Sequence, residues 1–377
     1  MIQILVVSSD YKTRQLLRKE LALAGYNVTV WDTIPGTIDP SQIVMPTIVI
    51  HDWKYSDDSG YLSIWQKLKA HPTTPPIFCL MLTSRSNFSN HVLTLEQGVD
   101  DLILKPIKPQ ELRARVLAGK RTLKLQQDLK VQKQLLETEL AEAQAYVRSL
   151  LPDDSDEKIP IKARFIPSRL LGGDCYDYYW LDPDYLAIYL LDVSGHGLGS
   201  ALLSTSVLNV LRSQSLPDVN FYRPEKVLNA LNETFQMHSQ NEKYFTIWYG
   251  VYNRANRQLL YSSAGHPPAV LVSTPKDKPQ MTECIRTSGL PIGMLPDIKY
   301  QWQRCYIPPD SRLYLFSDGI YEIHQLDNTI MGLDEFIEIL SQHKPDNTID
   351  DILRQVNVRT QGRAFSDDLS LLEVCLD

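Results

Sequence analysis

Four short breaks between Leu171 and Leu369 each place an aspartate where an apolar run meets Gly, Ser or Asp. They are Leu171-Gly172-Gly173-Asp174, Leu191-Asp192-Val193-Ser194-Gly195, Phe316-Ser317-Asp318-Gly319 and Ser366-Asp367-Asp368-Leu369. One aspartate at a strand end is ordinarily a turn cap. Four within one stretch of the chain point to a cation site, because carboxylates gathered at one sheet edge repel unless shared cations neutralise them. Oxygen donors with no paired His or Cys select Mg2+ or Mn2+ over zinc. Two such ions about 3.5–4 Å apart make a bridging water nucleophilic and stabilise a phosphoryl-transfer transition state.

Particular elements must bring these aspartates together. The run Leu186–Leu191 is continuously apolar and reads as a fully buried strand. An ionised Asp192 at its end costs free energy unless a cation compensates it. Gly195, Gly197 and Gly199 follow at once and allow close backbone approaches. Further strand-like runs are Ile161–Pro167, Tyr176–Leu181, Phe245–Tyr252, Gln258–Ser262, Ala269–Val272, Leu313–Phe316 and Leu369–Val374. Amphipathic segments span Ser200–Ser213, Pro224–Ser239, Leu333–Gln342 and Thr348–Val358. A meander of strands with helices inserted as blocks predicts an antiparallel α+β layered domain.

The first 120 residues follow a different rhythm. Strand-like runs Ile2–Val7, Asn27–Trp31, Thr47–His51, Pro76–Leu82 and Leu102–Leu104 alternate with amphipathic segments Tyr11–Ala24, Gly60–Ala70, Asn90–Gln97 and Pro109–Lys120. That order predicts a doubly wound α/β domain with its crevice at the carboxyl ends of the strands. Those ends carry Ser8-Ser9-Asp10, Asp52, Thr83-Ser84 and Lys105-Pro106. A carboxylate, a hydroxyl and a lysine converging there can hold a phosphoryl group, with Thr83 and Lys105 on its oxygens. The arrangement resembles the receiver domain of bacterial response regulators, a flavodoxin-like fold. The resemblance implies Asp52 as phosphoacceptor, Thr83 as switch hydroxyl, Lys105 with a cis Pro106, and an upstream sensor histidine kinase. It departs from the family at the acidic pair that holds Mg2+, replaced here by Ser8-Ser9 with Asp10 one position late. Fewer carboxylates mean a weaker Mg2+ site, unless Asp57 or Asp58 completes it. Two readings stay open: a phosphorylated receiver, or a pseudo-receiver used for docking or dimerisation.

Between the two halves, no Gly follows Gly119 and no Pro precedes Pro152. One heptad register puts Leu129, Leu136, Ala143 and Leu150 at d, and Gln126, Lys133, Leu140 and Val147 at a. This seam predicts a coiled-coil connector that joins two copies in a homodimer; the alternative is a single helix lying on its own domains. The acidic turn 153–157 is read as solvated.

Together Gly172-Gly173-Asp174, Asp192-Val193-Ser194-Gly195-His196-Gly197, Ser263-Ala264-Gly265-His266, Gly289-Leu290-Pro291-Ile292-Gly293, Ser317-Asp318-Gly319 and Ser366-Asp367-Asp368 resemble, in order, the SpoIIE/RsbU-type branch of the metal-dependent serine/threonine phosphatases (the PPM family). The resemblance covers about residues 143–377 and includes the entry Leu150-Leu151-Pro152, with Arg148 where a Gln is usual. It implies a sandwich of two antiparallel sheets flanked by helices, holding two Mn2+ or Mg2+. Asp192 would bridge both ions and the Val193 carbonyl would add a ligand. Asp318 and Asp367 would bind the second ion, Asp174 would bind directly or through water, and Asp368 would support the ligands from behind. By the same resemblance the catalytic set would be Asp192, Asp318 and Asp367. Asp177 is expected to tie its strand to a neighbour, His196 to stabilise the glycine turn, His266 to order a loop, and Arg164 and Arg169 to be surface arginines.

The whole chain has 377 residues, 43% apolar and 22% charged, with formal net charge -7. That acidity argues against a sequence-independent grip on nucleic acid. No apolar run approaches a membrane span of about 18 residues, and the first residues read as a strand rather than a signal peptide. Five scattered cysteines, Cys79, Cys175, Cys284, Cys305 and Cys375, form no disulfide framework, and Cys175 reads as a buried strand thiol. The domains expected are a receiver over 1–120, a helical connector over 121–152 and a phosphatase over 153–377. The expected whole is a cytoplasmic, receiver-regulated phosphatase for phosphoserine or phosphothreonine. By resemblance its substrate is a STAS-type anti-sigma-factor antagonist in a partner-switching pathway. The alternatives are a non-enzymatic adaptor for a sigma-factor regulator, or a constitutive phosphatase clamped by its receiver.

Overall fold

The computed structural model describes residues 2–33, 43, 45–52, 60–84, 98–152, 158–168, 171–273, 280–324, 329–342, 348–360 and 365–376. The expected helix at 90–97, the acidic turn at 153–157, Arg169, Asp57 and Asp58 lie outside these residues. The chain divides into two compact units, Met1–Thr138 and Glu139–Asp377.

The first unit is the doubly wound α/β domain that its alternating pattern predicts. Strands β1 (Gln3–Val7), β2 (Asn27–Trp31), β3 (Thr47–Asp52), β4 (Ile77–Thr83) and β5 (Asp101–Leu104) form a parallel sheet in the order β2-β1-β3-β4-β5. Alternate residues of the strands serve opposite faces. Ile4, Val6, Ile48 and Ile50 pack with Leu17 and Leu21 of α1 (Tyr11–Leu23) and with Leu112 and Val116 of α3 (Pro109–Leu150). Leu5, Val7 and Val49 pack with Trp65 and Leu68 of α2 (Gly60–Ala70) on the other face. The Lys105–Pro106 bond is cis.

Helix α3 runs unbroken for 42 residues. Nothing in its sequence between Gly119 and Pro152 interrupts it. Leu125, Leu129, Leu135 and Leu136 on it are exposed.

The second unit is a four-layer sandwich. One sheet has the order β13-β10-β9-β8-β7 and the other β12-β11-β14-β17-β6. The first comprises β7 (Cys175–Trp180), β8 (Tyr185–Val193), β9 (Phe245–Asn253), β10 (Gln258–Ala264) and β13 (Gln303–Tyr306). The second comprises β6 (Ile161–Ile166), β11 (Ala269–Ser273), β12 (Met281–Ile285), β14 (Ser311–Phe316) and β17 (Leu369–Leu376). All pairs within both sheets are antiparallel. Two-residue strands β15 (Ile323–His324) and β16 (Ile330–Met331) pair separately.

Strand β8 shows why its sequence is apolar without alternation. Leu186, Ile188 and Leu190 enter the core between the sheets. Ala187, Tyr189, Leu191 and Val193 enter the core beneath α4 (Leu198–Arg212) and α5 (Pro224–Thr234). Helices α6 (Leu333–Gln342) and α7 (Ile349–Thr360) cover the outer face of the second sheet. The segment expected as one helix to Ser239 instead leaves α5 after Thr234. Gln236 turns extended there, and a 3-10 turn follows over Met237–Ser239.

Candidate active site

Asp192 sits at the end of β8, paired across the sheet with Thr246 of β9. The chain then reverses through Gly195 and Gly197, whose φ angles of 75° and 88° suit glycine, and enters α4. Backbone bonds stitch this turn in place. Ser194 donates its N–H to the Tyr244 carbonyl at 2.9 Å, and Gly197 donates to the Leu171 carbonyl at 3.1 Å. The second bond draws the Gly172-Gly173-Asp174 segment against the turn, so the first two aspartate breaks meet.

The other two breaks meet on the opposing sheet. Asp318 opens a 3-10 turn after β14, and Asp367-Asp368 precede β17, which pairs with β14. Ser317 joins them: its N–H donates to the Ser370 carbonyl at 3.1 Å and its hydroxyl to the Asp368 carbonyl at 3.2 Å. A side chain at Gly319 would collide with that Asp368 carbonyl. Asp368 accepts from Ser168 N at 2.8 Å, Ser168 Oγ at 3.0 Å and Gly173 N at 2.6 Å. Its lone pairs are thus spent on fastening the first pair of breaks to the second.

The charges of these groups reach one another. Burial, then repulsion from Asp318 and Asp367, pushes the Asp192 carboxyl up to about 7. Burial, then Asp367 and Glu322, pushes Asp318 up to about 6. Asp174 is raised well above the usual range by burial and by Asp192. Both its carboxylate oxygens are buried and bond to none of the described residues. Asp367 is exposed and accepts the Asp368 N–H at 2.8 Å.

Among the described residues, no three acidic, His or Cys side chains close into a ready chelate. Three carboxylates raised by burial and by one another, Asp174 among them buried with both oxygens unanswered, and the neighbouring Asp367 still fit a divalent cation. The donors are all oxygen, which suits Mg2+ or Mn2+, and no buried cationic side chain neutralises them among the described ion pairs.

Several tempting residues have structural work. Asp177 accepts from Arg212 Nε at 2.8 Å, tying β7 to α4 as expected. Arg164 is committed to Asp350 through two bonds of 2.7 and 2.9 Å. His266 is buried beside Thr246, with Nδ1 and Oγ1 2.8 Å apart. It orders the strand partner of Asp192, and burial lowers its pKa to about 3. His196 departs from expectation: it is exposed and bonds to none of the described residues. The turn is held by Ser194, Tyr244 and Lys243 instead. Lys243 and Glu322 are the two charged neighbours that motif reading passes over. Glu322 lies four residues past Asp318, and its N–H donates to the Asp318 carbonyl at 2.8 Å.

In the first unit the strand ends gather Ser8, Asp52, Thr83 and Lys105. Asp52 is buried and accepts from the Ser8 hydroxyl at 2.7 Å and from Lys105 Nζ at 2.5 Å. Thr83 is buried at the end of β4. Asp10 caps α1, accepting from Thr13 N at 3.0 Å and Thr13 Oγ1 at 2.6 Å. Its carboxylate is therefore spent on the helix, and the group that reaches Asp52 from the end of β1 is the Ser8 hydroxyl.

Comparison with known families gives this geometry its context. Residues 182–377 match the family Stage II sporulation protein E (SpoIIE). The chain belongs to the SpoIIE family. Residues 4–117 match the response regulator receiver domain, so a receiver precedes the SpoIIE domain. Phosphoserine phosphatase RsbP of Bacillus subtilis (strain 168) is 29% identical over 218 residues, 56% of this chain and 51% of that protein. Phosphoserine phosphatase RsbU of the same organism is 26% identical over 188 residues, 50% of this chain and 54% of that protein. The chain thus spans about half the length of these curated relatives. The SiaA-PP2C domain of Pseudomonas aeruginosa shares the fold, with a TM-score of 0.56 at 18% identity, over 65% of this chain and 98% of that one. No helix among the described residues is long and apolar enough to cross a membrane.

Proposed function

We propose that this chain is a receiver-regulated protein phosphatase that hydrolyses phosphoserine or phosphothreonine with two Mn2+ or Mg2+. The observation that carries the reading is the coupling of Asp174, Asp192, Asp318 and Asp367 where two sheets of a SpoIIE-family sandwich meet. Asp192, Asp318, Asp367, Asp174 and the Val193 carbonyl would hold the cations, with Asp368 bracing them. When bound, such cations supply Lewis acidity and lower the pKa of water toward neutrality.

The chain's own groups prepare that site. Asp192 projects from a strand buried on both faces, which limits its movement. Asp368 and Ser317 lock the two sheet edges together, and neutral His266 sets the position of Thr246 behind Asp192. The net reaction adds water to the phosphoester, breaks the P–O bond to the Ser or Thr oxygen, and releases the alcohol and inorganic phosphate.

The RsbP and RsbU relatives, named as phosphoserine phosphatases, support a phosphorylated STAS-type anti-sigma-factor antagonist as substrate. In this reading residues 1–120 receive the signal, 121–152 transmit it as a dimeric coiled coil, and 153–377 carry the chemistry. The Ser8–Asp52–Lys105 arrangement supports a receiver that signals without a phosphoryl group on Asp52. The test is Mn2+-dependent phosphate release from a phosphoserine-bearing STAS protein. Asp192→Ala and Asp318→Ala are expected to abolish it, and full activity in both would overturn the proposal.

A further inference from the structure

We propose that Lys243 binds the phosphate group of the substrate, a dianionic phosphate monoester, at the glycine turn beside Asp192. The inference rests on the phosphatase reading and adds to it a residue outside the aspartate set.

Lys243 lies between the 3-10 turn at Met237–Ser239 and β9, and is half-buried. Its Nζ donates to the Ser194 carbonyl at 3.1 Å and to the Ser200 hydroxyl at 2.9 Å. These two acceptors flank the turn that leaves Asp192-Val193. A Cβ added at Gly195 would lie 3.5 Å from Nζ, so the ammonium rests directly on the turn. From the other side, Gly173 packs so closely that a Cβ there would sit 3.2 Å from Ser200 Cβ and 3.3 Å from the Gly195 carbonyl. Gly173 precedes Asp174, so the turn that Lys243 holds is packed against the segment that carries Asp174.

The charge of Lys243 is unanswered. Both acceptors are neutral oxygens, and among the described residues no carboxylate pairs with it. Ser200 belongs to the first turn of α4, and the dipole at that end of a helix disfavours a cation. A neutral amide could hold the same two oxygens without this disadvantage. The positive charge is explained when an anion docks there, since an ammonium retains a third N–H for a charge-assisted bond to phosphate. Gly195, His196, Leu198 and Gly199 are exposed, which leaves the turn open to a phosphorylated side chain.

The experiment uses the full chain saturated with Mn2+, titrated calorimetrically with inorganic phosphate, alongside KM and kcat for p-nitrophenyl phosphate. Lys243→Gln preserves hydrogen bonding without charge and is expected to weaken phosphate binding and raise KM about tenfold or more. Its Mn2+ affinity and melting temperature are expected to match the wild type, and Lys243→Arg is expected to retain most phosphate affinity. Unchanged phosphate binding in Lys243→Gln would overturn the inference. So would a parallel fall in Mn2+ affinity and phosphate binding, the signature of a residue that only fastens the turn. Wild-type protein that binds phosphate through Lys243 but hydrolyses no phosphomonoester would refute the phosphatase reading and leave the Lys243 site standing.

Discussion

His266 offers a stability test that is independent of catalysis. Its imidazole is buried behind Asp192, bonds through Nδ1 to the Thr246 hydroxyl, and is held neutral with a pKa of about 3. In the unfolded chain the same group titrates near its ordinary value of about 6.5. As pH falls below that value, the unfolded chain takes up a proton that the folded chain refuses, so stability is lost. At pH 5 the difference amounts to about 2 kcal/mol, against a few tenths at pH 7. His266→Asn places an amide near Nδ1 and cannot titrate. In metal-free protein, urea-dependent hydrogen exchange of the β9 amides should show wild type losing about 2 kcal/mol more than His266→Asn between pH 7 and pH 5. The carboxylates are common to both proteins and cancel in the comparison. Equal losses would refute the assignment of a buried, neutral His266.

Three further expectations follow from particular contacts. Asp177→Ala strips Arg212 of its buried partner; because Arg212 remains 40% exposed and can rehydrate, the cost should be about 1–3 kcal/mol by chemical denaturation. Leu129→Glu with Leu136→Glu charges two exposed positions of the connector seam, 67% and 56% accessible, and should convert a dimer to a monomer in sedimentation. A dimer that survives the pair would remove the connector from the interface. Ser8→Asp restores a carboxylate beside Asp52 and should raise receiver affinity for Mg2+, measured by calorimetry in an Asp192→Asn background. No gain would show that the Ser8 position does not govern cation binding.

Much of the fold was legible because burial leaves a strong pattern. The unbroken apolar run of β8 reflects burial on both faces, and the alternation of strands and helices in the first 120 residues reflects a wound parallel sheet. Strands β12 and β13 escaped detection because they are edges with exposed side chains, unlike the better-buried edges β6 and β7: Met281–Cys284 are exposed, and Gln303 and Arg304 face solvent. An edge strand takes its order from backbone pairing, which has no signature in side-chain polarity. The aspartates stood out through their position at strand ends. Lys243 did not, because a lone lysine before a strand follows no period, and its partners Ser194 and Ser200 lie 49 and 43 residues away. The use of Asp10 as a helix cap was equally hidden, since only geometry separates a capping carboxylate from a cation ligand.

The central claim is that Asp174, Asp192, Asp318 and Asp367 together hold two divalent cations. Electron paramagnetic resonance titration of the full chain with Mn2+ tests it directly. Two Mn2+ per chain are expected in the SpoIIE domain, with both lost or severely weakened in Asp192→Asn. Stoichiometry and affinity unchanged by Asp192→Asn would contradict it.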